Sequence, residues 1–264
     1  MTANDAAPLV ERRDEAGVRT LTLNRPGARN ALSMAMIAAL RAELAAIGDE
    51  AGVRAVVLAA AGPVFCAGHD LKELRARNDP GWLAEIFKSC SEMMLQIIRL
   101  PQPVIARVHG TATAAGCQLV ATADLAVAAS TATFATPGVN IGLFCSTPMV
   151  ALSRNVARKH AMDMLLTGAP ITAARAADIG LINRAVPADQ LDAAVGELTQ
   201  AIGRKSAKVL SIGKRAFYEQ AEMPLAEAYA HASAVMARNM MEADAREGID
   251  AFIAKRPPVW RDPS

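Results

Sequence analysis

Val108-His109-Gly110-Thr111-Ala112-Thr113-Ala114-Ala115-Gly116-Cys117-Gln118 is the stretch whose reading decides the fold. It follows a short apolar run, Val104 to Val108, and carries small residues where a buried strand gives way to a helix. Between Gly110 and Gly116 no side chain exceeds threonine, so the backbone can lie close against another group. A helix N-terminus adds unpaired N–H donors and the positive end of its dipole, which suits an oxygen with partial negative charge. A plain packing turn between strand and helix would look the same. A second small-residue turn, Phe65-Cys66-Ala67-Gly68, weighs against that plainer reading. Two turns that each aim one N–H at the same oxygen are what an oxyanion hole requires.

Working outward, Ala55 to Ala59 is a continuous apolar run that reads as a strand buried on both faces, leading directly into the turn at Phe65. Leu9 to Arg13 and Val18 to Leu23 alternate around Glu15-Ala16-Gly17 and predict a hairpin, stopped by Asn24-Arg25-Pro26-Gly27. Ser33 to Ile47 has helical spacing with Ser33 as N-cap. Asp70 to Gly81 reads as a polar connecting segment, followed by a helix to about Leu100 closed by Pro101 and Pro103. Asp124 to Ala128 and Thr133 to Ala135 read as further strands. The recurring strand, turn and helix predict an α/β spiral.

After Asn155 helices are expected at 155–166, 172–178, 188–203, 206–221, 225–241 and 244–254, with strand character only at Leu181 to Val186. The expected division is a spiral core over 1–190 and a C-terminal helical oligomerisation region over 191–264.

The charge balance, 28 basic against 26 acidic residues, excludes a nucleic-acid partner drawn by overall charge. Cys66, Cys90, Cys117 and Cys145 are widely spaced, without C-x-x-C pairs or zinc spacing, and read as buried thiols with no metal. The N-terminus has neither a basic start before an apolar run nor an Arg-rich amphipathic helix, and no window has the length of a membrane span. A cytoplasmic location is the expectation. No G-x-G and no G-x-x-x-x-G-K-[ST] occurs, which sets aside a nicotinamide dehydrogenase and a nucleoside-triphosphate site.

Several stretches together resemble the enoyl-CoA hydratase/isomerase, or crotonase, superfamily. They are L-N-R-P-G-A-R-N-A-L (Leu23 to Leu32), P-V-F-C-A-G-H-D-L-K-E-L (Pro63 to Leu74), A-A-G-C-Q-L (Ala114 to Leu119), D-L-A-V-A, F-A-T-P-G-V-N-I-G-L (Phe134 to Leu143) and E-G-I-D-A-F-I-A-K-R-P-P-V-W (Glu247 to Trp260), in the order found there. The second and fifth are particularly similar to a mitochondrial branch, the third of the enoyl-CoA hydratase domain-containing proteins. The resemblance implies a crotonase-like ββα spiral with a C-terminal helical trimerisation region, as trimers or dimers of trimers. It also implies an acyl-CoA thioester bound between two backbone N–H groups, at Cys66 and Ala115, with CoA as part of the substrate and no separate cofactor. Contacts to CoA are implied for Arg25 or Arg29, for Ala67, Gly68, His69, Asp70 and Leu71, and for Phe252 and Lys255 of a neighbouring subunit. Asp70 is expected to hold its loop rather than react.

Family hydratases use two glutamates to hold and deliver water. Their positions here are Gln118 and Gly138. Glutamine hydrogen-bonds water but exchanges no proton near neutral pH, and glycine offers no side chain. Gly138, following Pro137, is expected to take backbone angles that a residue with a Cβ tolerates poorly. Ser146 occupies another family acid position, beside Cys145, and no histidine is placed as a base for that thiol. The resulting expectation is an acyl-CoA-binding protein of fatty-acid or related thioester metabolism with weak or absent hydratase activity. The alternative is a non-catalytic acyl-CoA-binding or assembly protein.

Overall fold

Alternation in the first strands has a direct structural result in the computed structural model, which describes residues 7–48, 50 and 52–261. β1 (Val10–Glu15) and β2 (Val18–Leu23) pair antiparallel, Val10 opposite Leu23, through a turn in which Ala16 and Gly17 both take positive φ. In β2 every second residue is buried. α1 (Met34–Gly48) follows a 3-10 turn at Pro26–Ala28 and buries Met36, Ile37, Leu40, Leu44 and Ile47, one helical stripe. The Ser33 hydroxyl accepts the Met36 N–H at 3.2 Å.

Three ββα passes follow. β3 (Ala55–Ala60) and β4 (Val64–Cys66) lead to α2 (Leu71–Arg77) and α3 (Pro80–Arg99). β5 (Val104–Val108) and β6 (Thr111–Thr113) lead to α4 (Ala115–Thr122). β7 (Leu125–Ala129) and β8 (Thr133–Ala135) lead through a 3-10 turn, Pro137–Ile141, to α5 (Ser146–Asn155) and α6 (Arg158–Thr167). Then come β9 (Ile171–Thr172), α7 (Ala173–Asp178), β10 (Arg184–Val186), α8 (Leu191–Gly203), α9 (Ala207–Gln220), α10 (Leu225–Met240) and α11 (Ala243–Ile253).

Each pass gives one strand to each of two sheets, ordered β1-β2-β3-β5-β7-β10 and β4-β6-β8-β9. Pairing is parallel except at β1 with β2 and β8 with β9. Successive residues of a strand face opposite sides, and both sides are covered. Val56, Leu58, Val104 and Ala106 enter the main core, while Val57, Ile105 and Val127 meet Leu191, Ala194 and Val195 of α8. That two-sided burial is why these strands read as unbroken apolar runs.

The structure corrects several expectations. The polar segment after Asp70 contains α2, a helix without a buried residue that rests on its caps: the Asp70 carboxylate accepts the N–H groups of Lys72 and Glu73, and Asn78 closes it in the left-handed region. The helix expected at 155–166 is α6, which begins at Arg158, and a separate helix that the sequence did not announce, α5, stands before it and ends at Asn155. β4 and β6 stand between the long strands and the small-residue turns. Residues 1–6, part of the stretch read for targeting signals, lie outside the described residues. Among the described residues no helix is long and apolar enough to cross a membrane.

Candidate functional site

β4 ends at Cys66, and the turn beyond it is stitched to the segment before α1. Ala67 N–H donates to the Arg29 carbonyl at 3.1 Å, Leu32 N–H to the Gly68 carbonyl at 2.8 Å and Asp70 N–H to the Leu32 carbonyl at 3.3 Å. Gly68 takes φ +90°, a conformation open to glycine.

The second turn follows β6. Ala114 sits at φ 50°, ψ −119° as the N-cap of α4, with no side-chain cap on the helix. Its N–H donates to the Ala135 carbonyl at 2.9 Å and its carbonyl accepts the Gln118 N–H at 3.0 Å.

Two glycines lock these turns together. A Cβ on Gly116 would lie 2.2 Å from the Cys66 carbonyl oxygen. A Cβ on Gly68 would lie 2.8 Å from the Ala114 Cβ and 3.3 Å from the Ala115 nitrogen. Backbone therefore meets backbone, and Cys66 and Ala115, both buried, come together at the N-terminus of α4. Helix geometry leaves the first-turn amides without an intrahelical acceptor.

The two family glutamate positions differ in what surrounds them. Gln118 is 4% exposed and its Oε1 has no hydrogen-bond partner. Gly138 lies buried in the 3-10 turn, where a Cβ would stand 2.6 Å from the Leu143 carbonyl oxygen and 3.0 Å from the Cys145 Sγ. Gly138 is not among the positive-φ glycines, so lack of space, not backbone angle, excludes a larger residue.

Cys145 is a buried thiol whose pKa burial pushes up, with the Gly138 amide opposing part of that rise. Burial of this kind suits a packing group and disfavours the thiolate that a nucleophile needs. Ser146 opens α5 on the surface, its hydroxyl 3.4 Å from the Phe144 carbonyl. Cys66 and Cys117 are likewise buried thiols, pushed up to about 12 by desolvation.

Asp70 holds its loop. Its Oδ2 lies 2.8 Å from Arg25 and its Oδ1 caps α2. Burial would raise its pKa, but Arg25 and the helix amides bring it below the ordinary carboxylate value. Arg25 is therefore engaged by Asp70, whereas Arg29, whose carbonyl accepts the Ala67 N–H, and Lys72 at the start of α2 are exposed beside the 66–71 turn. Leu71 is half exposed at the start of α2. The His69 ring meets Phe87 edge-on at 5.1 Å, burial lowers its pKa to about 4, and its Nε2 is buried without a partner. Phe252, 84% exposed, and Lys255, also exposed, face solvent in a single chain and do not join that turn.

Two features have no counterpart in the sequence reading. Thr136 is wholly buried with an unpartnered Oγ1, and only its place before Pro137 marked it. A cleft of about 350 Å³ beside α9 holds Asp124, Lys214 and Tyr218. Lys214 Nζ donates to Asp124 at 2.6 Å and to the Ile97 and Gln102 carbonyls at 3.0 Å each, while Tyr218 donates to the other Asp124 oxygen at 2.9 Å. These groups satisfy one another and tie α9 to the core. Among the described residues no cluster of three or more His, Cys, Asp or Glu could hold a metal.

Comparison with known proteins agrees with this geometry. The mouse enoyl-CoA hydratase domain-containing protein 3, mitochondrial, is 47% identical over 252 residues, spanning 96% of this chain and 84% of the mouse protein. A crystal structure of an enoyl-CoA hydratase from Mycobacterium smegmatis superposes with a TM-score of 0.94 at 53% identity, covering 96% of this chain and 99% of that one. The human enoyl Coenzyme A hydratase domain-containing protein 3 gives a TM-score of 0.93 at 45% identity, over 96% and 100%. The cytoplasmic expectation is overturned by the same comparison, because the relatives from mouse, rat, frog, human and zebrafish are all named as mitochondrial proteins. The Enoyl-CoA hydratase/isomerase family profile matches residues 13–263, and with the interlocked turns and the two-sheet spiral it establishes that this chain belongs to the enoyl-CoA hydratase/isomerase, or crotonase, superfamily.

Proposed function

We propose that the chain binds an acyl-CoA thioester with its carbonyl oxygen between the N–H groups of Cys66 and Ala115, and serves fatty-acid or related CoA-thioester metabolism. The observation that carries this reading is the contact of Gly116 with Cys66 and of Gly68 with Ala114, which sets two backbone turns side by side at a helix N-terminus. Polarising a thioester asks for backbone donors alone, so the binding half of the chemistry survives the loss of both glutamates.

Hydration does not survive as well. Each missing acid/base group removes on the order of 100- to 10,000-fold in rate, and Gly138 has no room for a replacement. A non-catalytic acyl-CoA-binding or assembly role is the second reading, favoured by the same two positions.

Assembly as a trimer or a dimer of trimers belongs to the proposal. Leu225, Tyr229, Phe252 and Ile253 are each at least 70% exposed on α10 and α11, an apolar surface that association would cover. In such an assembly Phe252 and Lys255 would complete a neighbour's CoA site.

Calorimetry with butyryl-CoA tests the reading. Binding to the unaltered protein and its loss in Ala115→Pro, which removes one donor, are the expected outcomes; no detectable binding by the unaltered protein overturns it. Assays with enoyl, 3-enoyl and 3-hydroxyacyl thioesters separate an enzyme from a binder, and sedimentation tests the assembly.

A further inference from the structure

We infer that residues 256–261 form a clasp that holds α11 in place, with Glu247, Asp244 and Trp260 as its anchors. The inference stands on the hydrogen bonds around α11 and goes beyond the acyl-CoA reading.

Burial alone does not fix α11. Of its 11 residues only Asp244 and Ala251 are buried, and at its end Phe252 and Ile253 are 84% and 73% exposed. The chain then doubles back. Lys255 takes φ +52°, its N–H donates to the Phe252 carbonyl at 3.2 Å and the Arg256 N–H donates to the Ala251 carbonyl at 3.0 Å, the pair of bonds that closes a helix through a left-handed residue. Pro257 and Pro258 then limit the bends open to the returning segment.

Three anchors take hold of that segment. Glu247 receives both terminal nitrogens of Arg256, at 2.6 and 2.9 Å, and the Val259 N–H at 2.8 Å. Asp244 accepts the Arg261 N–H at 2.9 Å with one oxygen and the hydroxyl of Ser206, the N-cap of α9, with the other. Trp260 lays its ring over Gly248, where a Cβ would stand 3.2 Å from it, and donates its indole N–H to the Arg204 carbonyl at the end of α8 at 2.7 Å. A lone exposed ion pair contributes little, but two-pronged arginine pairing with a backbone bond on the same carboxylate is stronger and directional. Val259 is 75% exposed, so polar bonds and not burial hold the segment. The clasp therefore ties α11 to the joint between α8 and α9, and opening it frees α11 without disturbing the sheets. Because Phe252 and Ile253 ride on α11, the clasp also fixes where that part of the surface proposed for association stands.

Hydrogen exchange read by mass spectrometry on the full chain tests this, with Trp260→Phe, which keeps a ring and loses the indole N–H, and Glu247→Ala, which releases Arg256 and Val259. Amides of α11 are expected to exchange about fivefold faster in Trp260→Phe, the effect of one net hydrogen bond, and faster still in Glu247→Ala, while β3 and β5 keep the rates of the unaltered protein. Glu222→Ala, which breaks the exposed pair with Arg154 at 2.7 Å, should leave α11 unchanged. Unchanged α11 exchange in both Trp260→Phe and Glu247→Ala overturns the clasp. Acceleration across the whole chain, or an equal effect of Glu222→Ala on α11, also overturns it, because the anchors would then have no local hold on that helix. Trp260→Phe decides if Glu247→Ala does not fold. No thioester enters the experiment, so its failure leaves the acyl-CoA reading standing.

Discussion

Gly116 and Cys66 meet with no room for a side chain: a Cβ on Gly116 would stand 2.2 Å from the Cys66 carbonyl oxygen. The first turn of α4 therefore rests directly on the end of β4, and the two proposed donors share one rigid junction.

Gly116→Ala drives a methyl into backbone that cannot step aside. It is expected to cost about 3 kcal/mol, the upper end of what overpacking typically costs, and to abolish butyryl-CoA binding. Gly196→Ala, in α8 with nothing within 4 Å of the new Cβ, should instead stabilise by about 0.5–1 kcal/mol. Urea titrations of the two variants check the contrast.

Ala114 holds φ 50°, ψ −119°, where a side chain is strained. Such backbone strain costs of order 1–3 kcal/mol, partly offset in Ala114→Gly by the extra freedom of glycine in the unfolded chain. The net expectation is a gain of up to about 1 kcal/mol with α4 unchanged. A clear fall in melting temperature would show that the alanine methyl contributes packing that outweighs the strain.

Gln118→Glu keeps the size of the side chain and should fold, and it is expected to raise crotonyl-CoA hydration slightly. Gly138→Glu should not add a base, because its Cβ meets the Leu143 carbonyl oxygen at 2.6 Å; loss of stability is expected instead. Loss of enoyl-thioester absorbance, with contaminating hydratase excluded, measures the first variant, and thermal denaturation the second.

Burial holds the folded pKa of His69 near 4, below its ordinary 6.5. Between these values the unfolded chain binds more protons, so stability falls as pH drops through this window. The contribution lost by pH 5 is about 2 kcal/mol. His69→Phe should flatten that part of the pH–stability profile; an unchanged slope would assign the acid sensitivity to another group.

Lys214 Nζ spends three bonds, on Asp124 and on two carbonyls, in a setting that lowers its pKa by desolvation against the raising effect of Asp124. Lys214→Met takes the cation from a largely buried carboxylate that keeps its Tyr218 and Val104 hydrogen bonds, and should cost about 3 kcal/mol. The damage should appear first as increased proteolysis around α9.

Much of the architecture was legible because burial leaves a mark on composition. The stripe of Met36, Ile37, Leu40, Leu44 and Ile47 and the doubly covered strand at Ala55 both follow from local spacing. α2 left no such mark, since nothing in it is buried and it rests on Asp70, Glu73 and Arg25. Glu73 is tied to the Met34 amide, 39 residues away, a pairing that no local pattern encodes.

The sequence by itself determined the αβ alternation, the two small-residue turns, the membership implied by ordered motifs, and the absence of both glutamates, because each is a property of residue identity and short-range spacing. Only the tertiary structure decided that Gly116 and Gly68 bring those turns into contact, that Asp70 pairs with Arg25, and that Gly138 is crowded by Leu143. Each of these depends on atoms tens of residues apart meeting within a few ångströms, and that distance is set by sheet pairing and helix packing, not by the local chain.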